Sequence, residues 1–132
     1  MSEDRQNISS GSKWEPLVGY SRAVRVGSYI HVSGTTATDT SGEIVGPDDP
    51  AAQMRQCLEN ISRALAEAGS NLTDVVRTRI FITNISAWKS IGAVHAEYFG
   101  AVRPATSMVE VSALIDPKMI VEVEADAYID SD

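Results

Sequence analysis

Asp74 to Thr83, with the sequence DVVRTRIFIT, is the stretch that decides the fold. Its β-branched and aromatic residues alternate with polar ones, which predicts a strand with one face turned to a core. The residues on the face that should pack on helices are Val76, Thr78, Ile80 and Ile82. The residues on the opposite face are Arg77, Arg79 and Phe81.

A helix is predicted on the N-terminal side of this strand, over about 51–68. Asp48 or Asp49 can cap it, Pro50 suits its first turn, and Gly69 is a natural end. Apolar residues recur at helical spacing and predict a buried stripe. That stripe consists of Met54, Leu58, Ile61 and Leu65.

A second helix is predicted on the C-terminal side, over about 87–99, with Ser86 as its cap and Gly100 as its end. The strand therefore lies between two helices in the chain. The residues expected on the inward face of the second helix are Trp88, Ile91, Val94 or His95, and Tyr98.

Four further strands complete the pattern. The segment from Arg22 to Gly34 reads as a hairpin in which Gly27 supplies the turn. Two more strands, about 106–113 and 119–129, are separated by Asp116 and Pro117. The order β-β-α-β-α-β-β predicts an α+β domain, with both helices on one face of a mixed sheet. The residues of the last strand that should face the helices are Val121, Val123, Ala125 and Ala127.

The other face of the sheet is mixed, and it allows two interpretations. It is either a solvated face with weak cross-strand ion pairs or an interface between copies of the chain. An interface would place a polar pocket between subunits. The residues expected on this face, besides those of the first strand, are Met108, Glu110, Glu122, Glu124, Asp126 and Tyr128.

Composition limits the possible functions. The chain has 132 residues, and residues 14–132 are predicted to form a single domain after a flexible tail, residues 1–13. The formal net charge is −7, which disfavours nucleic acid as a partner. No secretory signal and no membrane-spanning run is expected, and the single cysteine suits a reducing compartment, so we expect a cytoplasmic protein.

Five segments resemble the reactive intermediate deaminase (Rid) family, which is also described as the L-PSP endoribonuclease family. They are YSRAVRVGSYIHVSGTTA, TDVVRTRIFITNISAW, HAEYFG, RPATSMVEV and MIVEVEADA, which together run from about Tyr20 to Ile129. The resemblance implies a chorismate-mutase-like fold and a homotrimer with a cleft between each pair of subunits. It also implies hydrolysis of enamines and imines, such as 2-aminoacrylate, to a keto acid and ammonia.

The resemblance also assigns site residues. Glu122 matches the family's glutamate that orients or activates the attacking water. The residues that match substrate-binding positions are Tyr20, Ser33, Gly34, Thr106 and Met108, the last through its backbone. Thr106 stands where the best-known members have an arginine that holds a carboxylate by a two-pronged contact. A hydroxyl provides no charge, so we expect a substrate other than 2-aminoacrylate.

The evidence for the other candidate site residues is weaker. Arg103 could supply the missing charge, but Pro104 restricts it, and a surface or interface role fits better. Arg77 and Arg79 are expected to pair with the acids of the mixed face. Neither histidine has the neighbours of a metal ligand, and Cys57 reads as a packed thiol, so no metal and no cofactor is expected.

Two classes of function follow from these observations. The first is a small imine or enamine hydrolase, that is, a deaminase that acts on a reactive intermediate. The second is a non-catalytic trimer whose clefts bind a small-molecule metabolite for regulation. A ribonuclease is the third reading, and the acidic charge counts against it.

Overall fold

Six strands and three helices follow each other in residues 4–130, the part of the chain that the computed structural model describes. They are β1 (Arg5–Ile8), α1 (Trp14–Val18), β2 (Ala23–Val26), β3 (Tyr29–Thr35), α2 (Pro50–Glu67), β4 (Val75–Ile82), α3 (Trp88–Phe99), β5 (Ala105–Glu110) and β6 (Val121–Tyr128). The predicted α+β order is confirmed from β2 to β6, and β1 and α1 precede it. The prediction of one domain over 14–132 stays a prediction, and residues 131–132 lie outside the described residues.

All six strands form one sheet in the order β1-β2-β3-β6-β4-β5. Neighbouring strands are antiparallel except β4 and β5, which are parallel. The sheet is therefore mixed, as expected. Its core face is closed by α2 and α3, and Val121, Val123, Ala125 and Ala127 are all buried against them.

Strand β1 corrects one prediction. Arg5–Ile8 pairs with β2 in antiparallel register, and Ile8 joins the core, so this part of residues 1–13 is not a flexible tail. The strand escapes sequence reasoning because Ile8 is its only apolar residue. Residues 1–3 of that tail lie outside the described residues.

Helix α2 follows its prediction closely. The Asp49 carboxylate accepts a hydrogen bond from the Ala52 amide at 3.1 Å, Pro50 is the first helical residue, and Gly69 beyond its end has a φ of 86°. The predicted stripe is fully buried. Gln53 is also fully buried, and its side chain bonds the Lys118 carbonyl and the Ile120 amide, which fixes the start of β6 to the helix.

Strand β4 contains a bulge that overturns part of its predicted pattern. The register with β6 shifts between Val75 and Arg77. Val75 therefore takes the buried place, whereas Val76 is 54% exposed. Thr78, Ile80 and Ile82 are buried as predicted.

Two predictions for α3 are wrong. Ser86 does not cap it: Asn84 caps a short 3-10 turn, Ile85–Ala87, by accepting a hydrogen bond from the Ser86 amide. Trp88 is 52% exposed, because the buried stripe begins one turn later at Ile91. The stripe ends at Phe99, which is buried and was not predicted.

The parallel register of β5 reverses the predicted placement of two side chains. Met108 lies opposite Ile80 and Glu110 opposite Ile82, so both lie on the helix face and not on the mixed face. Met108 packs against the core. The β5 residues on the mixed face are Ala105, Ser107 and Val109.

Strand β5 is also an edge of the sheet. Within residues 4–130 no strand pairs with its outer side, and every residue except Met108 is exposed.

Over the same range, no helix has the length and apolar character needed to cross a membrane.

Candidate functional site

One large cleft brings together several of the predicted site residues. It has a volume of about 1050 Å³ and is lined by residues between Ile8 and Arg22, the end of β3 and the loop after it, the outer side of α2, and β6. Tyr20, Ser33, Gly34 and Glu122 all line it. We call it the Glu122 cleft.

Glu122 projects from β6 opposite Phe81 of β4 and is partly buried. Within residues 4–130 no group donates a hydrogen bond to its carboxylate. Burial raises the pKa of Glu122 above the usual carboxyl range, and the nearby charge of Glu124 raises it further, whereas the Arg22 charge opposes the rise. A carboxylate with free oxygens and a raised pKa is suited to take a proton from a bound water.

Gly34 leaves the space in which this carboxylate lies. An added Cβ at Gly34 would stand 1.9 Å from Oε2 of Glu122, a distance at which two atoms overlap. The backbone φ of Gly34 is not in the left-handed region. Glycine is therefore needed here for close approach and not for an unusual turn.

Ser33 and Tyr20 complete this wall. The Ser33 hydroxyl donates to the Ser21 carbonyl at 2.7 Å, which fixes the chain where β3 passes β2. The register between β3 and β6 shifts between Val32 and Thr35, so this wall of the cleft lies at an irregularity of the sheet. Tyr20 is partly buried at the cleft rim.

Arg22 is a cleft residue that sequence reasoning missed. Its Nη2 donates to the Gly34 carbonyl at 2.9 Å, and its guanidinium carbon stands 5.5 Å from the centre of the Tyr20 ring. No local pattern in the sequence singles it out, because Arg22 lies at a bend just before β2 and its contacts are with residues distant in the chain.

Thr106, Met108 and Arg103 lie away from this cleft. Thr106 stands at the exposed edge, where its hydroxyl shares a hydrogen bond of 2.8 Å with Thr78 and donates to the Pro104 carbonyl at 3.2 Å. Arg103 is exposed just beyond α3 with a φ of 56°. Within one chain, Thr106 and Glu122 therefore face opposite sides of the sheet.

Thr78 links Thr106 to His95 of α3. The Thr78 hydroxyl lies 2.9 Å from Nε2 of His95, whose ring packs on Phe99 with centroids 4.7 Å apart. Burial lowers the pKa of His95, so its ring is neutral at pH 7. These contacts give His95 a structural role in the packing of α3 on β4.

The mixed face carries a cluster of charged residues in which Arg79 pairs with acids, as expected. Its guanidinium contacts Asp126 at 3.1 Å and Glu124 at 3.5 Å, and Asp126 also contacts His31 at 2.9 Å. Around this cluster four apolar or aromatic residues are more than 40% exposed: Val26, Tyr29, Val109 and Tyr128. A large apolar and charged surface of this kind is typical of a protein interface.

Cys57 is fully buried in α2, and its thiol contacts the Val121 carbonyl at 3.8 Å. Burial raises the pKa of this thiol, so it is a packed and unreactive group. No cluster of three or more histidine, cysteine or acidic residues that could hold a metal occurs between residues 4 and 130.

The chain is similar to proteins of one family. The family model described as Endoribonuclease L-PSP matches residues 11–129. Rv2704 of Mycobacterium tuberculosis, described as a YjgF/YER057c/UK114 family member, is 54% identical, with a TM-score of 0.87 over 95% of this chain and 99% of that one.

Two further relatives carry informative names. YyfA of Yersinia pestis, described as a Rid family protein, is 33% identical, with a TM-score of 0.85 over 95% of this chain and 99% of that one. The 3-aminoacrylate deaminase RutC of Acinetobacter baylyi is 35% identical over 86% of this chain and 90% of its own length. These likenesses confirm the chorismate-mutase-like α+β fold, and the chain belongs to the endoribonuclease L-PSP family, also called the Rid family.

Proposed function

We propose that this protein is a deaminase that hydrolyses a reactive imine or enamine in the Glu122 cleft. The observation that carries the proposal is the Glu122 carboxylate, which is partly buried, accepts no hydrogen bond from residues 4–130, and has a raised pKa. Structural acids of this protein are paired instead, as Asp126 is with Arg79. An unpaired carboxylate in a cleft is more useful to chemistry than to stability.

The reaction needs little beyond this group. Glu122 takes a proton from water while the water oxygen bonds to the imine carbon and the C=N electron pair goes to nitrogen. The protonated Glu122 returns its proton to that nitrogen. The hydroxyl proton of the resulting carbinolamine then passes through Glu122 to the nitrogen as the C–N bond breaks, which releases ammonia and leaves a carbonyl group.

The substrate is expected to differ from 2-aminoacrylate. Thr106 cannot form the two-pronged contact that an arginine makes with a carboxylate. The relative named as a 3-aminoacrylate deaminase supports a deaminase function for this chain, without fixing which imine is hydrolysed.

A homotrimer in the cytoplasm is part of the proposal. The exposed edge strand β5 and the apolar residues of the mixed face would be covered by contact between copies. Since Thr106 and Glu122 face opposite sides of the sheet within one chain, only a second copy could bring Thr106 to the Glu122 cleft. Light scattering at micromolar concentration should give about three times the chain mass, and a stable monomer would contradict this part.

Activity is tested by making imines inside the assay. A serine dehydratase supplies 2-aminoacrylate, an amino acid oxidase supplies 2-imino acids, and an amine oxidase supplies imines that have no carboxylate. The protein should accelerate ammonia release from at least one of these. The Glu122→Gln variant should lose the acceleration, because an amide cannot take a proton from water.

The Glu97→Gln variant is the matched control. Glu97 is an exposed carboxylate on α3 that pairs with Arg55 at 2.9 Å, so its removal should leave the rate unchanged. Equal rates for the wild type and Glu122→Gln would exclude the proposed role of Glu122.

The alternative is a non-catalytic, metabolite-binding trimer, which the threonine at position 106 favours. It predicts ligand binding with no acceleration of any imine. An endoribonuclease stands third: the family name supports it, whereas the net charge of −7 opposes RNA binding.

A further inference from the structure

We infer that Arg22 is the anion-binding residue of the Glu122 cleft, and that the ligand carries a carboxylate or a similar planar oxyanion which Arg22 holds. This inference rests on the proposed function in one respect only, namely that the Glu122 cleft is the ligand site. It assigns the missing positive charge to Arg22, which lies at the bend just before β2, and not to position 106 of β5.

The first support is that Arg22 forms no ion pair. Within residues 4–130 no carboxylate lies within salt-bridge distance of it, although its charge is felt by Glu15 and Glu122. Its Nε is buried and has no hydrogen-bond acceptor in the same range. By contrast, Arg55 and Arg79 are paired with acids. A buried charged donor without an acceptor is costly, and a functional site is a common reason for it.

The second support is that the guanidinium is held in place before any ligand arrives. Nη2 donates to the Gly34 carbonyl at 2.9 Å, and the Tyr20 ring lies beside the guanidinium. The side chain therefore loses little rotamer freedom when it binds an anion. Within residues 4–130 no group accepts a hydrogen bond from its Nη1, so this nitrogen can donate to a ligand.

The third support is the arrangement of charge around Gly34. The carbonyl of Gly34 accepts from Arg22, while its Cα leaves the space for the Glu122 carboxylate. A cation and a carboxylate thus stand on two sides of one residue. A ligand with an anionic end and an electrophilic C=N carbon matches both groups, since the anion pairs with Arg22 and the carbon meets the water held by Glu122.

Other cations near the cleft are less suited to this role. Lys13 stands 4.9 Å from the centre of the Trp14 ring, and Arg63 donates to Asn60 on the outer side of α2. Arg103 lies beyond α3 and does not line the cleft. Arg22 alone among these has an electrostatic effect on Glu122.

The test compares benzoate with benzamide, a pair that differs chiefly in charge, by titration calorimetry on the full chain. The wild type should prefer benzoate. The Arg22→Gln variant should weaken benzoate binding by about tenfold to a hundredfold while benzamide binding stays unchanged, because only the charged contact is lost. The Arg22→Lys variant keeps the charge but loses the planar fork, so its affinity for benzoate should lie between those of the wild type and Arg22→Gln.

Two variants serve as controls. Arg55→Gln removes an exposed arginine outside the cleft, and Arg103→Gln removes the other arginine proposed to bind the anion. Neither substitution should change the preference for benzoate over benzamide. Glutamine at position 22 keeps an amide that can donate to Gly34, and a circular dichroism spectrum verifies the fold. If Arg22→Gln does not fold, the benzoate titration of Arg22→Lys tests the inference, which predicts weaker binding than in the wild type.

The inference is overturned by a wild type that shows no preference for benzoate, by Arg22 variants that retain it, or by an Arg103→Gln variant that loses it. The proposed function fails separately, if no imine is hydrolysed faster with the protein. Benzoate binding that depends on Arg22 would then still stand, as the anion site of a non-catalytic protein.

Discussion

Replacing Gly34 by alanine should remove activity while leaving the fold intact. The new Cβ would stand 1.9 Å from Oε2 of Glu122, and contacts below 3.0 Å do not persist, so the oxygen must retreat by about 1.1 Å. A displacement of about 1 Å can reduce catalysis roughly a hundredfold, which corresponds to about 2.7 kcal/mol in the activation free energy. We therefore expect kcat/KM for imine hydrolysis to fall by about that factor.

The fold should survive because the clash meets the free end of a flexible side chain and the backbone at Gly34 is unstrained. The assay measures ammonia release beside a thermal unfolding curve for the same sample. Gly92→Ala is the matched control: Gly92 lies in α3 with open space around it, so alanine should stabilise the helix by about 0.5–1 kcal/mol and leave activity unchanged. Full activity in a folded Gly34→Ala variant would refute the idea that catalysis depends on where the Glu122 carboxylate lies.

Four further outcomes are expected. The acid limb of the kcat/KM profile should lie above the usual carboxyl pKa range, and it should move to higher pH in Arg22→Gln and to lower pH in Glu124→Gln, since these charges lower and raise the pKa of Glu122 respectively. Because the folded-state pKa of Glu122 is raised, its contribution to stability is full below the unfolded pKa of about 4.3 and is lost as pH rises through the folded value. Glu122→Gln should therefore raise Tm at pH 7 and not at pH 4. Val109→Lys, on the exposed edge strand, should lower the mass seen by light scattering without loss of secondary structure. Cys57 should react with a thiol reagent only after unfolding, because it is fully buried and its thiol pKa is raised.

Most of the fold was predictable because α2, β4 and β6 bury one face with a regular period. The stripe of α2 and the alternation of β6 are local properties, and both predictions were confirmed. Strand β1 was missed because it carries a single buried side chain and is defined by pairing with β2. The exposed Val76 was missed because a bulge has no local signature when Val75 and Val76 are identical residues.

The site was predictable only in part, because side-chain direction depends on register. The sequence placed Glu122, Gly34 and Ser33 together through resemblance, and the structure puts them on one cleft wall. It could not show that β5 runs parallel to β4 with Met108 opposite Ile80, which turns Met108 to the helix face. It also gave no reason to select Arg22, whose importance comes from the absence of a partner in three dimensions.

The contact of Gly34 with both Arg22 and Glu122 has a consequence for ligand size. Each group is positioned against the same main-chain residue, one through its carbonyl and the other through the space at its Cα. In the unliganded cleft both groups therefore take their positions from one main-chain residue of β3, and a ligand of another length must move one of the two side chains out of its contact with Gly34. A homologous series of ligands should then bind most tightly at one chain length. Adding or removing a single methylene group should weaken binding.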